Sequence, residues 1–143
     1  MFAPITITIP GEIRGKGRPR FSTRNGVLRT FTDDLTANAE AWVKHCATQQ
    51  AGQPCHEGPI HLDVLVYVEI PASWSKKKRD DAISGKLRPT GRPDFDNTIK
   101  MISDSLNKII WKDDSQITDS TFAKWYAEAP SAQLRIVSAW RMP

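Results

Sequence analysis

The most regular pattern in the chain is an alternation. Between Pro59 and Pro71, Ile60, Leu62, Val64, Val66, Val68 and Ile70 fall on every second position. Residues two apart on a strand share a face, so this stretch predicts a strand with one buried side. A shorter alternation of Ile5, Ile7 and Ile9 with Thr6 and Thr8 predicts a half-buried strand stopped by Pro10-Gly11. Elsewhere the period lengthens. Leu35, Ala39, Trp42, Val43 and Cys46 recur at helical spacing, with Thr32 as N-cap, Asp33 and Asp34 in the first turn and Gly52 as the stop. Ile99, Ile102, Leu106 and Ile109/Ile110 repeat the three- and four-residue step and predict a second buried helical face. A short helix over about 74–84 precedes it. Strands over about 116–126 and 132–140, joined through Glu128-Ala129-Pro130-Ser131, close the chain; Ile117, Trp125, Leu134, Ile136 and Trp140 supply their apolar positions. With at least four strands and three helices, neither repeated nor segregated, residues 1–143 read as one α+β domain. A mixed or mainly antiparallel sheet carries the helices packed on it.

Composition narrows the class. At 143 residues, 39% hydrophobic and 25% charged, the chain is long enough for a real core and ordinary for a globular protein. No apolar run approaches the roughly 20 residues that cross a membrane. The start, MFAPITITIP, lacks a basic n-region and alternates like a strand, so it does not read as a signal peptide. Two cysteines, Cys46 and Cys55, make no disulfide scaffold, and a reducing, cytoplasmic setting fits. His45-Cys46 and Cys55-His56 hint at a metal site, but adjacent helical residues diverge by about 100° and the spacing fits no usual zinc pattern.

The net charge of +4 conceals a sharper distribution. Residues 11–30 hold six Lys/Arg against one Glu, and residues 74–92 hold seven against two Asp, so thirteen of the twenty basic residues lie in two segments. In the first, Gly11, Gly15, Gly17 and Gly26 alternate with Arg14, Lys16, Arg18, Arg20, Arg24 and Arg29. Glycine lets a backbone approach a phosphate, and Arg and Lys neutralise it. Neither GxGxxG nor GxxxxGK[ST] is present, so the segment (about 11–31) reads as a flexible basic arm along a nucleic-acid backbone, not as a nucleotide pocket. Phe21 and Phe31 are candidates for stacking on bases, though aromatics beside strands are more often core. In the second segment Lys76, Lys77, Lys78, Arg79, Lys86, Arg88 and Arg92 lead directly to a pair of acids. Basic clusters beside an acidic one point to a polyanion plus a metal; two solvated surface faces are the plainer reading.

The acids are Asp94 and Asp96, then Asp113 and Asp114 beyond the helix that separates the pairs. Asp96, Lys100 and Asp104 follow a four-residue step and share a face distinct from the apolar one. A helix of about 14 residues spans roughly 20 Å, so it cannot bring its own ends together. Either a strand beginning near Gln116 carries Asp114 to the site from another direction, or a second subunit supplies it. Should Asp94, Asp96 and Asp114 converge, their charges need compensation: two unit charges about 4 Å apart repel by about 4 kcal/mol at an effective dielectric near 20. With no His or Cys nearby, a hard divalent ion such as Mg²⁺ or Mn²⁺ suits the donors better than zinc. Phosphodiester hydrolysis asks for such an ion, to activate a water and stabilise the leaving oxygen, and Lys100 is placed to neutralise developing charge. Each residue also has a plain role. Asp96 is a good N-cap, Asp94 after Pro93 is a good turn residue, Lys100 can pair along the helix for only ~0.3–0.5 kcal/mol, and Asp113-Asp114 can punctuate a turn.

As an ordered set, RPDFDNTIKMISDSLN followed by WKDDSQI resembles the RusA family of Holliday junction resolvases, which carries D-x-D-N-x-x-K, an amphipathic helix with an internal Asp-x-Leu, and a D-D-x-Q-[IV] tail. The close match covers about residues 92–118; the rest agrees in element order, apart from a long GKGRPRF arm and a KKKR run upstream of the motif. By motif, the resemblance implies that Asp94, Asp96 and Asp114 are the metal-binding catalytic aspartates and Lys100 the essential lysine, with Asp113 secondary. It implies a Mg²⁺-dependent endonuclease, Mn²⁺ being a possible substitute, acting on branched double-stranded DNA as a homodimer without organic cofactor or membrane, and often carried by phages and prophages. Arg14, Lys16, Arg18, Arg20, Lys76, Lys77, Lys78 and Arg92 are the candidate DNA contacts. A less selective nuclease of flaps or forks, and a catalytically silent nucleic-acid-binding module, are the competing readings.

Overall fold

The computed structural model describes residues 1–15, 20–24, 27–31 and 34–140, with side chains from 1–15 and 37–140. In chain order the elements are β1 (Ile5–Pro10), β2 (Arg20–Arg24), β3 (Val27–Phe31), α1 (Asp34–Ala51), β4 (Ile60–Glu69), α2 (Lys76–Ile83), α3 (Phe95–Leu106), a 3₁₀ turn (Asp114–Gln116), β5 (Ile117–Ala127) and β6 (Ser131–Ser138).

Alternation in β4 does what it predicts. Ile60, Leu62, Val64 and Val66 are all at most 2% exposed, each contributing roughly 1.5–3 kcal/mol by leaving water. Ile7 and Ile9 of β1 and Ala132, Leu134 and Ile136 of β6 complete the same apolar face. The four-stranded sheet has the order β1-β6-β4-β5. β6 runs antiparallel to both its neighbours, and β4 and β5 are parallel. The α+β expectation of a mixed, mainly antiparallel sheet holds. β5 and β6 follow one another in sequence but are not neighbours, because β4 lies between them. Parallel strands need a long crossover; here the chain from β4 to β5 supplies it, and that crossover contains α2 and α3. Helices α1 and α3 pack on each other over the apolar face, through Val43, Cys46 and Ala47 on one side and Met101, Ile102 and Leu106 on the other.

Several details depart from the sequence reading. The basic arm, expected to be flexible, contains a hairpin: β2 and β3 pair antiparallel from Arg20↔Phe31 to Arg24↔Val27 as a separate two-stranded sheet. Thr32 and Asp33 lie outside the described residues. In α1 the buried stripe is rotated by one residue, to Val43, Cys46 and Ala47, and leaves Trp42 44% exposed. The indole N–H explains the position, since it donates to the Pro10 carbonyl at the end of β1 (2.8 Å). Trp125 and Trp140, read as apolar positions of the closing strands, also reach the surface, at 36% and 56% exposure. The end of α1 is as expected, with Gly52 at φ +69 donating its N–H to the Thr48 carbonyl. Edge strand β1 is covered by one side chain: Gln50 accepts from the Thr8 N–H (2.8 Å) and donates to the Thr8 carbonyl (2.7 Å).

The opposite face of the sheet is polar and carries a buttress. Strand register sets His61 beside Asp119 and Asp63 beside Thr121 and Arg135. Both imidazole nitrogens meet carboxylates, Nδ1 with Asp119 and Nε2 with Asp63, each at 2.6 Å. Thr121 donates to Asp63 (2.6 Å) and Thr118 to Asp119 (3.0 Å). The Asp119 hydrogen bond raises the His61 pKa; burial opposes it and Asp63 adds to it. Burial pushes Asp63 up, but Thr121, His61 and Arg135 together leave it below the ordinary value, and His61 does the same for Asp119. A raised imidazole stabilises the fold below its unfolded value of about 6.5, and that contribution is lost as pH rises through the folded value. Lowered carboxylates stabilise above the ordinary acid range, and that part is lost as pH falls through their folded values. Thermal melts across pH therefore have a predicted shape. The gap between wild type and His61→Leu is widest at about pH 5–6 and narrows in both directions. A gap that is constant from about pH 4 to 9 contradicts a proton held on His61.

Candidate active site

Burial fixes the rotation of α3. Thr98, Met101, Ile102, Ser105 and Leu106 are at 0% exposure, which turns the four-residue series Asp96, Lys100 and Asp104 away from the core. The helix is Phe95–Leu106, shorter than the pattern predicts. Ile109 and Ile110 are buried, but in a turn beyond its end. Asn107 caps it, and Lys108 at φ +65 reverses the chain.

The N-cap is Asp94, not Asp96. Its carbonyl accepts the Thr98 N–H (3.0 Å), yet its carboxylate makes no capping bond and takes one weak contact, from Asn97 Nδ2 (3.3 Å). Asp96 sits in the first turn, where the helix dipole favours a carboxylate. Both are exposed, and so is Lys100; among the described residues no ion pair ties Lys100 to Asp96. The start of the basic arm lies against this turn. A Cβ at Gly15 would stand 2.8 Å from the Asn97 Cβ, so glycine is what lets the two segments pass so closely.

The loop that delivers Asp94 is held by β5. Arg88 stacks on the Trp125 ring at 3.4 Å and donates through Nε to the Lys124 carbonyl (2.9 Å). Lys124 Nζ donates to the carbonyls of Gly91 (2.6 Å) and Pro93 (3.0 Å). The Arg92–Pro93 peptide is cis. Phe95, 60% exposed, meets Phe122 edge-on at 5.2 Å.

At the far end of α3, buried Trp111 donates Nε1–H to Asn107 (2.9 Å). Gln116 organises the turn: its Oε1 accepts from the N–H groups of Lys112 and Asp113, both at 2.9 Å, and its Nε2 donates to the carbonyls of His56 (2.9 Å) and Gly58 (3.0 Å). Asp113 is occupied as a cap, accepting from the Ser115 N–H (3.0 Å). The Asp114 carboxyl lies against that of Asp104, close enough for the two to share a hydrogen bond when one is protonated. Ten residues of helix, about 15 Å of rise, separate Asp104 from Asp94. Within one chain the acids thus form two groups at opposite ends of one helix face, Asp94 with Asp96 and Asp104 with Asp114. Among the described residues no three His, Cys, Asp or Glu gather where they could hold a metal ion. Two exposed carboxylates nevertheless suit Mg²⁺, which is commonly held by one or two carboxylates plus substrate phosphates.

Of the expected DNA contacts, Arg14, Arg92 and Lys76–Lys78 are exposed. Lys16 and Arg18 lie outside the described residues, and Arg20 falls in β2, described by its backbone. Lys76, Lys77 and Lys78 occupy the first turn of α2 with no acid among them, against the helix dipole. Ser75 caps that turn by accepting from the Lys78 N–H (3.3 Å), and Lys78 lies over Trp74 at 4.1 Å. A positive helix start is electrostatically unfavourable alone and favourable once an anion is present. Sequence reasoning missed Lys124 and the role of Asp104; Gln116 stood in the D-D-x-Q tail, but its holding of the turn was not read. Lys124 acts through long-range bonds to backbone carbonyls, which leave no local signal; Gln116 had a local one in the Asp113-x-x-Gln116 capping box, and Asp104 had one in its four-residue step from Lys100.

Burial, then the charges of Asp113 and Asp104 and the Asp104 hydrogen bond, raise the Asp114 carboxyl above its ordinary value. The ionised form is therefore disfavoured in the folded chain, a cost that is absent at low pH and grows as pH rises through the folded value. In EDTA at about pH 8, Asp114→Asn is predicted to melt a few degrees above wild type, an advantage that disappears toward about pH 4. A lower melting temperature for the variant at the alkaline end contradicts the repulsion.

A family model described as "Endodeoxyribonuclease RusA" matches residues 10–137. A relative named "Uncharacterized protein YqaN", from Bacillus subtilis (strain 168), is 40% identical over 134 residues, covering 92% of this chain and 94% of the relative. The match spans the basic arm, the α3 face and both acidic ends, and on it the chain belongs to the RusA endodeoxyribonuclease family.

Proposed function

We propose that this chain is a Mg²⁺-dependent, structure-selective endodeoxyribonuclease that resolves four-way DNA junctions by paired nicks, acting as a cytoplasmic homodimer. The observation that carries it is the exposed Asp94–Asp96 pair at the start of α3, with carboxylates not consumed by capping and Lys100 one turn on, in a chain of the RusA family. A bound Mg²⁺ supplies an activated water and charge neutralisation at the phosphorus. Asp94 and Asp96 hold the ion through hard carboxylate oxygens. Lys100 offers an ammonium to the charge that develops on the phosphate. Arg14, Arg92 and the α2 lysines, with Lys16, Arg18 and Arg20 of the arm, neutralise the flanking backbone. No described helix is long and apolar enough to cross a membrane.

The separation of the two acidic groups favours a shared site. Two copies of α3 set antiparallel about a two-fold axis put the Asp94–Asp96 end of each against the Asp104–Asp114 end of the other. Such a dimer has two equivalent sites, as paired nicking requires.

A labelled synthetic junction is predicted to be nicked symmetrically with Mg²⁺ and left whole with EDTA. Asp94→Asn and Asp96→Asn are each predicted to lower cleavage by more than the roughly 100-fold that losing an outer metal-site partner costs, while junction binding persists. Normal cutting by either variant contradicts the assignment, since Asn caps a helix about as well as Asp. Mixing Asp94→Asn with Asp114→Asn separates the two arrangements. A shared site gives mixed dimers one intact centre, so single nicks return without paired resolution; sites complete within one chain give none.

A further inference from the structure

We propose that Lys124 is a positioning residue for the acidic pair, fixing from β5 the backbone that presents Asp94 and Asp96. The inference rests on the reading of that pair as the ion-holding group. β5 places Phe122 and Lys124 two residues apart, opposite Val64 and Val66, on the side of the sheet that carries α3. These two side chains bracket Asp94. Lys124 Nζ holds the carbonyl of Pro93, the residue before it, and that of Gly91 (3.0 and 2.6 Å). The Phe122 ring meets that of Phe95, the residue after it. The N-cap residue of α3 is thus held on both sides by one strand.

Ordering a lysine costs side-chain entropy, and a charge offsets that cost only when its bonds are good ones. Here two of the three ammonium protons make charge-assisted bonds, which are shorter and roughly twice as strong as neutral ones. No carboxylate among the described residues forms a salt bridge with Lys124, so its charge is spent on loop carbonyls next to the acids. The backbone of Lys124 joins the same clamp, because its carbonyl accepts from Arg88 Nε while Arg88 lies on Trp125. Residues 122–125 of β5 therefore act as a template for the loop that ends at Asp94. Groups that hold metal ligands in place typically cost 10–100-fold in affinity or activity when removed.

The test uses full-length wild type, Lys124→Met, Lys124→Arg and Asp94→Asn, each well below its melting temperature. Mn²⁺ alone is titrated calorimetrically, and junction cleavage is measured at saturating metal with turnover and DNA affinity separated. Lys124→Met is expected to weaken Mn²⁺ binding by about tenfold or more and to lower turnover by a similar factor, with junction affinity unchanged. Lys124→Arg, which keeps charge and donors, is expected to recover most of both. Wild-type Mn²⁺ affinity and turnover in Lys124→Met overturn the proposal, and so does lost junction affinity at unchanged turnover, which makes Lys124 a DNA contact. Should Lys124→Met not fold, Lys124→Gln, which keeps two donors without the charge, takes its place in the same comparison. The controls keep the two readings apart. Wild-type Mn²⁺ binding by Asp94→Asn removes the ion-holding role of the pair and the inference with it. A wild type that binds Mn²⁺ through Asp94 but cuts no junction removes the substrate reading, and the Lys124 titration still decides the inference.

Discussion

A helix with one face wholly buried cannot rotate, and in this chain that constraint orients the chemistry. Met101, Ile102 and Leu106 are packed without exposure against α1 and the sheet. Truncating a buried side chain of that size costs roughly 2–5 kcal/mol, so the orientation is strongly held. With the apolar side fixed, the four-residue series Asp96, Lys100 and Asp104 has one direction left to face. The buried side of α3 thus selects the exposed side.

Rotation alone does not place the ends. At the start, the carbonyls before Asp94 are tied to Lys124 and the ring after it leans on Phe122. At the finish, the Gln116 amide uses both its oxygen and its nitrogen to hold the turn that carries Asp114. Both devices join a side chain to backbone carbonyls or amides, so each acidic group stands on a main chain held from a distant strand or loop. The electrostatics are then complementary in space. Carboxylates occupy a helix start where the dipole tolerates them, and lysines occupy another where it does not. The second arrangement is relieved by a polyanion, the first by a cation, and a metal-assisted nuclease on DNA brings both.

What the sequence disclosed follows from the range of each interaction. Alternation in β4 and β1 and the helical period of α3 are local, and they placed the core and the polar face of α3 correctly. The period says which residues share a face, not which end of a helix meets which neighbour, so the partner of Asp114 within the chain, Asp104, was not foreseen. Trp42 and Trp125 misled because an indole that finds a carbonyl or a guanidinium stays at the surface at little cost. β5 carries little alternation to read: it lies at the edge of the sheet, and its first half is nearly all polar and exposed. Lys124 gave no signal at all, because a lysine in a strand looks the same whether it faces water or holds a loop thirty residues earlier.

The most direct measurement is the position of bound Mn²⁺ in crystals of the protein, read from its anomalous scattering. The account predicts a peak between the carboxylates of Asp94 and Asp96, within coordination distance of both, which disappears in Asp94→Asn. A peak confined to Asp104 and Asp114, or to the His61 face of the sheet, with none at the start of α3, contradicts it.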